Sequence, residues 1–288
     1  MVKPVPQSPP SGSVVEVSVS RVRAGDLIRD RDRLVVELPL EIRFGPRSST
    51  VLLRTPGHDE ELVRGFLYTE GIIRRAADIV ALERLSGAPL NDDAGSVIAV
   101  QLAIECVLPG QRLFAATSGC GACGKESLAA LEVRAPAVVA AQTIAYEVLA
   151  TLPDRLRAAQ PTFALTGGLH AAALFTVDGT LLAVREDIGR HNAVDKLVGC
   201  AIGEGNEHLA LGDLVLVVSG RLGYEIVQKA IAAGIPIVAS VGAASSLAVE
   251  LAERFGLTLA TFLRPGSGNL FGKIGRVRLS APARSTSP

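Results

Sequence analysis

Tryptophan is absent from the 288 residues, and all aromatics together make up 4%. A chain this poor in rings has no stock of stacking platforms for nucleic-acid bases. It also lacks an excess of either charge, since 29 basic residues balance 29 acidic ones. That removes the electrostatic footprint of a protein built to bind a nucleic-acid polymer. No run reaches the roughly 18 apolar residues that a membrane helix needs. Residues 1–12 are rich in Pro and Ser and contain no apolar signal segment, so they are expected to be a disordered tail. Four cysteines are too few for a disulfide scaffold in a chain of this length. The expected setting is a reducing cytoplasm, where these cysteines are thiols or carry chemistry.

What the chain does have is aliphatic bulk. Its hydrophobic residues reach 48%, enough for one large core or two modest ones. The first half reads as strands around one helix. Val14–Ser20, Leu34–Phe44 and Ser96–Ile104 alternate, and Val51–Leu53 is a short apolar run. Asp59-Glu60-Glu61 suits the first turn of a helix carrying Leu62 and Phe66. Gln142–Ala159 reads as a helix and linker closed by Pro161. From residue 171 on, the pattern changes to strands alternating with helices. Asp178-Gly179 marks a hairpin. Leu214–Val218 and Ile235–Ala239 are unbroken apolar runs of the kind covered on both faces. Gly234 and Gly256 close the two helices between them and the last strand, Leu257–Leu263. The expected architecture is α/β: a smaller mixed α+β N-terminal domain (13–140) and a layered domain with parallel neighbours (141–273). Residues 274–288 are expected to fray.

Between the halves, residues 106–126 form a small-residue loop with no face to bury. It holds Thr117-Ser118-Gly119-Cys120-Gly121-Ala122-Cys123-Gly124-Lys125. Such a loop should be accessible. Zinc would need two more ligands at sensible spacing, and none is near. A dithiol redox pair is expected at a helix N-terminus after a strand, not in a glycine-rich loop. Two inert cysteines would prefer burial, which this loop does not offer. Carriage of sulfur fits better. Gly119, Gly121 and Gly124 give access, and Lys125 favours the thiolate. The second thiol can relay or release the sulfur. Cys106 and Cys200 sit beside apolar residues and read as packing; His58 and His208 read as surface residues.

Three glycine-rich turns follow strands in the second half: Ser219-Gly220-Arg221, Gly242–Ser246 and Arg264–Asn269. Ligands of α/β sheets sit at such carboxyl ends, where backbone N–H groups hold phosphate. Each alone is an ordinary connection, but two bear an Arg, and together they favour an anionic, nucleotide-like ligand. Arg185–Asn192 crowds polar groups between a strand and a helix. Asp187, His191 and His170 are candidates there, against the plainer reading of a helix cap and ordinary histidines.

Four blocks carry a family resemblance: Arg54–Ile72, Thr117–Gly124, Thr166–Lys196 and Ser219–Gly266. On these the chain resembles the formate dehydrogenase accessory sulfurtransferase family (FdhD/NarQ) over residues 14–272. The resemblance implies a sulfurtransferase that takes persulfide sulfur from a cysteine desulfurase. The acceptor would be the molybdenum bis-(molybdopterin guanine dinucleotide) cofactor, bound as substrate and not as a permanent cofactor. This transfer is required for formate dehydrogenase activity. The resemblance maps the carrier to Cys120, with Cys123 as its neighbour, and the cofactor-binding stretch to Phe262, Leu263, Arg264, Pro265, Gly266 and Ser267. It also implies a homodimer and a cytidine-deaminase-like three-layer fold in the C-terminal domain. Deaminase chemistry is not expected, because His191 is followed by Asn192-Ala193 with no Glu two residues on, and Ser219–Leu222 holds no Cys. His58 departs from the family, where an acidic residue is common. The alternatives are a dithiol-disulfide oxidoreductase, or a guanine-nucleotide or molybdopterin chaperone that does not transfer sulfur.

Overall fold

The computed structural model describes residues 8–45, 48–85, 96–103, 135–203 and 209–279. Cys106, Cys120, Cys123, Lys125 and His208 lie outside these residues. The chain opens with a hairpin of two ten-residue strands, β1 (Val14–Arg23) and β2 (Asp26–Val35), paired over every rung. Ala24 and Gly25 both take positive φ at its tip, as a two-residue turn matched to strand twist requires. The reading of Leu34–Phe44 as one strand is corrected here. The backbone breaks after Val35 and restarts as β3 (Leu38–Arg43).

β3, β4 (Ser49–Arg54), β5 (Ile79–Leu85) and β6 (Ser96–Leu102) form one sheet in the order β4-β3-β6-β5. Its inner residues Leu40, Ile42, Leu52, Ile98 and Val100 pack on Leu62, Val63, Phe66 and Leu67 of helix α1 (Asp59–Thr69). Val51 and Leu53, on the other side of β4, face outward. One covered face explains the period-two patterning.

The second half begins with β7 (Ile144–Ala145), α2 (Tyr146–Leu149), α3 (Leu152–Ala158) and α4 (Pro161–Thr166). There follow β8 (His170–Phe175), β9 (Leu181–Asp187), α5 (Arg190–Ala201), β10 (Val215–Val218), α6 (Tyr224–Ala232), β11 (Ile237–Ser240), α7 (Ser246–Phe255), β12 (Thr258–Arg264) and β13 (Ser267–Gly272). The six strands stand in the order β13-β12-β11-β10-β8-β9. β10, β11 and β12 are parallel, and β8 and β13 run against their neighbours. Both faces are covered. Leu174, Leu216, Val238 and Leu259 meet α5, α6 and α7. Ala173, Val215, Val217 and Ile237 meet Leu149, Leu152 and Leu156. Strands buried on both sides account for the unbroken apolar runs.

Two expected boundaries shift. Residues 274–279 belong to the fold: β14 (Val277–Arg278) pairs with β7, and buried Arg276 donates to the carbonyls of Gly256, Val138 and Ala140. Val138 packs in the second core and donates its N–H to Phe255 O, so the layered half starts before residue 141. The reason is shared. A basic or Pro-adjacent segment carries little periodic signal, yet its backbone groups and Arg276 satisfy exposed carbonyls at the sheet's border.

α1 lies directly on α5, joining the halves. A Cβ on Gly65 would overlap the Asp195 carbonyl and reach 2.9 Å from Gly199 N; one on Gly199 would overlap the Glu61 carbonyl and reach 2.8 Å from Gly65 N. Buried ions surround this crossing. Arg185 holds Glu61 at 2.5 and 2.9 Å and reaches Cys200 Sγ at 2.9 Å. Lys229 meets Asp195 at 2.9 Å and Glu70 at 3.0 Å. Arg54 holds Asp59 with both forks, at 2.9 and 3.0 Å. Charges this deep persist only when fully paired.

The acids of the α1 first turn thus do more than meet a helix dipole. Burial pushes the Glu61 carboxyl up, but Arg185 and His58 hold it well below the usual range; burial is likewise overridden at Asp59 by Arg54 and Arg84. A carboxyl depressed in the fold stabilises above its unfolded-state value, and that stability is lost as pH falls through the folded value. The urea midpoint should therefore hold from pH 7 to about 5 and drop below about 4, in the ordinary carboxylate range. Glu61→Gln should start lower, because Arg185 loses its partner, and fall less steeply. A parallel fall in both proteins would contradict this.

Candidate functional site

Topology gathers most of the sequence candidates at one edge. β9, β10, β11 and β12 all end there, and antiparallel β8 starts there. His170 pairs with Asp187 in the β8–β9 register, and Val218 pairs with Ala172. Ser219 continues the ladder: its N–H donates to Ala171 O, and its Oγ accepts from Ala171 N, both at 2.9 Å. The loops after β10 and β11 are tied together. Leu222 N donates to Ala243 O, Ser245 N to Leu222 O, Gly242 N to Ser240 Oγ, and Ser240 Oγ to Gly220 O. Phe262 N donates to Gly242 O at 3.3 Å, which brings the end of β12 and the turn after it alongside.

Within that stretch the side chains part company. Phe262 is 45% exposed and sits at φ 51, an uncommon conformation for an aromatic residue. The register shifts between Thr261 and Arg264, a bulge that turns Phe262 outward. Leu263 is buried in the core under the sheet, so only its backbone is offered at the edge. Arg264, Pro265, Gly266 and Ser267 are exposed in the β12–β13 turn, and Tyr146 Oη donates to Arg264 O at 3.1 Å.

His191, in the first turn of α5, places Nε2 2.7 Å from Glu225 Oε2 in the first turn of α6, off the line of a ring N–H bond. Sequence reading missed Glu225. Its only local signal is an acid near a helix start, and only the fold carries it to His191. His170 sits over Gly220, where a Cβ would lie 3.3 Å from its Nδ1. Burial, and then the charges of Arg190 and His191, push the His170 imidazole below its ordinary value. It is therefore neutral near pH 7 and able to accept a hydrogen bond. Arg221 is exposed on the rim.

Asp187 is different. It is fully buried, and four donors occupy its oxygens: Lys196 Nζ at 2.7 Å, Thr55 N at 3.1 Å, Gly189 N at 2.8 Å and Asn192 Nδ2 at 3.0 Å. Four donors fill a carboxylate. Asp187 therefore acts by positioning α5 and its His191, and by fastening Thr55 of the first half. Asp187→Ala would strand the buried Lys196 charge, at a cost of about 3–5 kcal/mol. Chemical denaturation should show that loss, and Lys196→Met on top should recover part of it. A loss under about 1 kcal/mol would place the ion pair among those of little consequence.

The edge therefore offers the starts of α5 and α6, neither closed by a side-chain cap, cationic Arg221 and Arg264, a neutral imidazole, and one exposed ring. This set suits an anionic ligand bearing a flat ring system. Among the described residues no His, Cys, Asp or Glu cluster is disposed to hold a metal ion, and no helix is long and apolar enough to cross a membrane.

Known proteins match this chain over nearly all of it. The profile of the FdhD/NarQ family covers residues 35–278. The sulfur carrier protein FdhD of Nocardia farcinica is 49% identical over 275 residues, 93% of this chain and 96% of that protein. Its namesake from Mycolicibacterium paratuberculosis is 48% identical over 266 residues, 90% of this chain and 97% of the other. The crystal structure of a candidate formate dehydrogenase accessory protein from Desulfotalea psychrophila superposes with a TM-score of 0.69 at 24% identity, spanning 92% of this chain and 99% of that one.

Proposed function

Because the chain belongs to the FdhD/NarQ family, we propose that it carries sulfur as a persulfide on Cys120, for use by formate dehydrogenase. The observation that supports this most is near-half identity, end to end, with proteins named as sulfur carriers. The donor is a cysteine desulfurase. The Cys120 thiolate attacks the outer sulfur of the donor persulfide; the donor S–S bond breaks, the donor cysteine leaves as thiolate, and Cys120 holds the new S–S bond. No net oxidation occurs. Attack by the Cys123 thiolate on Cys120 then expels hydrosulfide and leaves a Cys120–Cys123 disulfide, which a thiol reductant must reopen.

The acceptor in this reading is the molybdenum bis-(molybdopterin guanine dinucleotide) cofactor, a substrate held for the exchange. Its guanine nucleotide would lie at the carboxyl edge, with the backbone from Phe262 to Ser267, Ser219 and Arg221 around its phosphates and rings, and His170 and His191 beside them. The helix–sheet–helix stacking supports a cytidine-deaminase-like scaffold for this half. A cytoplasmic homodimer completes the reading. The test is mass spectrometry after incubation with a cysteine desulfurase and cysteine. The peptide bearing Cys120 should gain one sulfur, and Cys120→Ala should abolish the gain. Absence of the adduct, or its survival in the variant, would overturn the assignment.

A further inference from the structure

Two imidazoles stand at the carboxyl edge, His170 and His191, and they are set up differently. His170 is neutral near pH 7, and the acid closest to it in the sheet, Asp187, is committed to Lys196. His191 has an acid of its own, with Nε2 2.7 Å from Glu225 Oε2. Both side chains are nearly buried, at 11% and 13% exposure. Other charged and titratable groups surround the pair: His170 from β8, Asp187 from β9, Arg190 beside it on α5, Tyr224 from α6 and Glu70 from the end of α1. Glu70 is held by Lys229. Glu225 is thus the acid placed to steady a positive charge on His191.

That charge needs steadying. His191 lies in the first turn of α5, where the helix dipole opposes a cation. Glu225 lies in the first turn of α6, where a carboxylate is favoured. The two ring nitrogens also differ. Nε2 is sealed from solvent against Glu225, whereas Nδ1 is not among the sealed polar atoms. A carboxylate beside Nε2 keeps a proton on that nitrogen and leaves Nδ1 for a reacting partner, the arrangement of an imidazole that gives and takes protons.

We propose that His191, steadied by Glu225, is the acid that protonates the sulfane sulfur as it leaves Cys120. This deepens the carrier reading above and rests on it, since there the acceptor lies at the carboxyl edge. A persulfide is a stronger acid than a thiol and is anionic near neutral pH. Expelled as it stands, its outer sulfur would depart as sulfide dianion, too strong a base to leave unprotonated. The Cys123 thiolate bonds to the Cys120 sulfur, the bond from Cys120 to the sulfane sulfur breaks, and its electron pair goes with the departing atom. The Nδ1 proton of the His191 imidazolium passes to that atom, which leaves as hydrosulfide. The sulfane sulfur has gained two electrons and the two cysteines, now a disulfide, have lost them. What remains is a neutral imidazole whose Nε2–H still faces Glu225, and water restores the Nδ1 proton.

The test uses the full chain, loaded with sulfur by a cysteine desulfurase and cysteine. Loaded protein is mixed with inactive formate dehydrogenase taken from cells lacking this chain, at pH values from about 6 to about 8.5, which bracket the ordinary imidazole range. Formate oxidation is then assayed at one fixed pH. Glu225→Gln keeps the shape of the acid and removes its charge. It should load Cys120 as fully as the wild type, yet activate about tenfold or more slowly at the upper end of the range, with the deficit shrinking toward the lower end. The sign follows from the charge: without the carboxylate, imidazolium persists only at lower pH. A merely displaced α6 would slow activation equally at every pH. Ring 15N shifts of the wild-type chain, in the neutral form of His191 reached at high pH, should place the proton on Nε2. Normal loading with wild-type activation, a deficit that does not vary with pH, or a proton on Nδ1 in that form would each overturn the proposal and leave the carrier reading intact. No sulfur on wild-type Cys120 would end the carrier reading, and this step with it. If Glu225→Gln does not fold, the wild-type tautomer decides.

Discussion

Gly199→Ala is expected to cost about 4 kcal/mol or more, the range reached only when a core cannot absorb a change. The added methyl has no flexible side chain to push aside, for its neighbours are backbone: Glu61 C at 2.7 Å and Gly65 N at 2.8 Å. Two helices would have to separate, and with them the packing of Leu62 and Phe66 on one side and Val198 and Leu197 on the other. The paired ions Arg185–Glu61 and Lys229–Asp195 would also lose their geometry. Gly65→Ala meets the same wall from the opposite helix, with Asp195 C at 2.6 Å. By contrast, a Cβ on Gly275 would have nothing within 4 Å of it, and Gly275→Ala should fall within about 0.5 kcal/mol of wild type. Denaturant midpoints of the three proteins check this. A Gly199→Ala protein as stable as Gly275→Ala would mean that the helices can part without penalty.

The second large effect concerns the thiols. Cys120→Ala/Cys123→Ala, expressed in cells lacking their own copy of this protein, should restore none of the formate dehydrogenase activity that the wild-type chain restores. Without Cys120 there is no atom to hold the sulfane sulfur, and once Cys123 is replaced as well, nothing left from Thr117 to Lys125 is a nucleophile of comparable softness. Cys123→Ala alone should leave loading intact and impair delivery, because the relay thiol is gone. Full activity in the double variant would instead support a chaperone that binds the nucleotide and moves no sulfur. Turnover of a protein disulfide with no nucleotide requirement would support the dithiol oxidoreductase.

Much of the layered half was legible from pattern alone. Leu214–Val218 and Ile235–Ala239 become β10 and β11 within two residues at either end, because strands buried on both faces must be apolar throughout. Gly234 and Gly256 close α6 and α7 at φ 69 and φ 75. Less readable was any strand whose order has another source. β2 carries alternating charges and no apolar face, and among the described strands it pairs with β1 alone. β5 covers little of the core, and four of its seven residues are exposed. At the site, local sequence offered His170, His191 and Arg221 as separate guesses. That they share an edge follows from strand direction, and Glu225 from packing between helix starts. Asp187 stood out as polar, but only its four donors tie it to the placing of α5 and Thr55. The Cys120–Cys123 segment falls outside the described residues, and its reading rests on chemistry and kinship.

The crossing of α1 on α5 has a further consequence for how the molecule works. Backbone meets backbone there, ion pairs bracket it, and Thr55 is fastened to Asp187. Among the described residues such a seam offers no hinge about which one half could swing open from the other. Whatever enters at the carboxyl edge must do so with the platform already set, as a key enters a lock cut in advance. Any choice between guests is then made by shape and charge on arrival, not by a closing jaw.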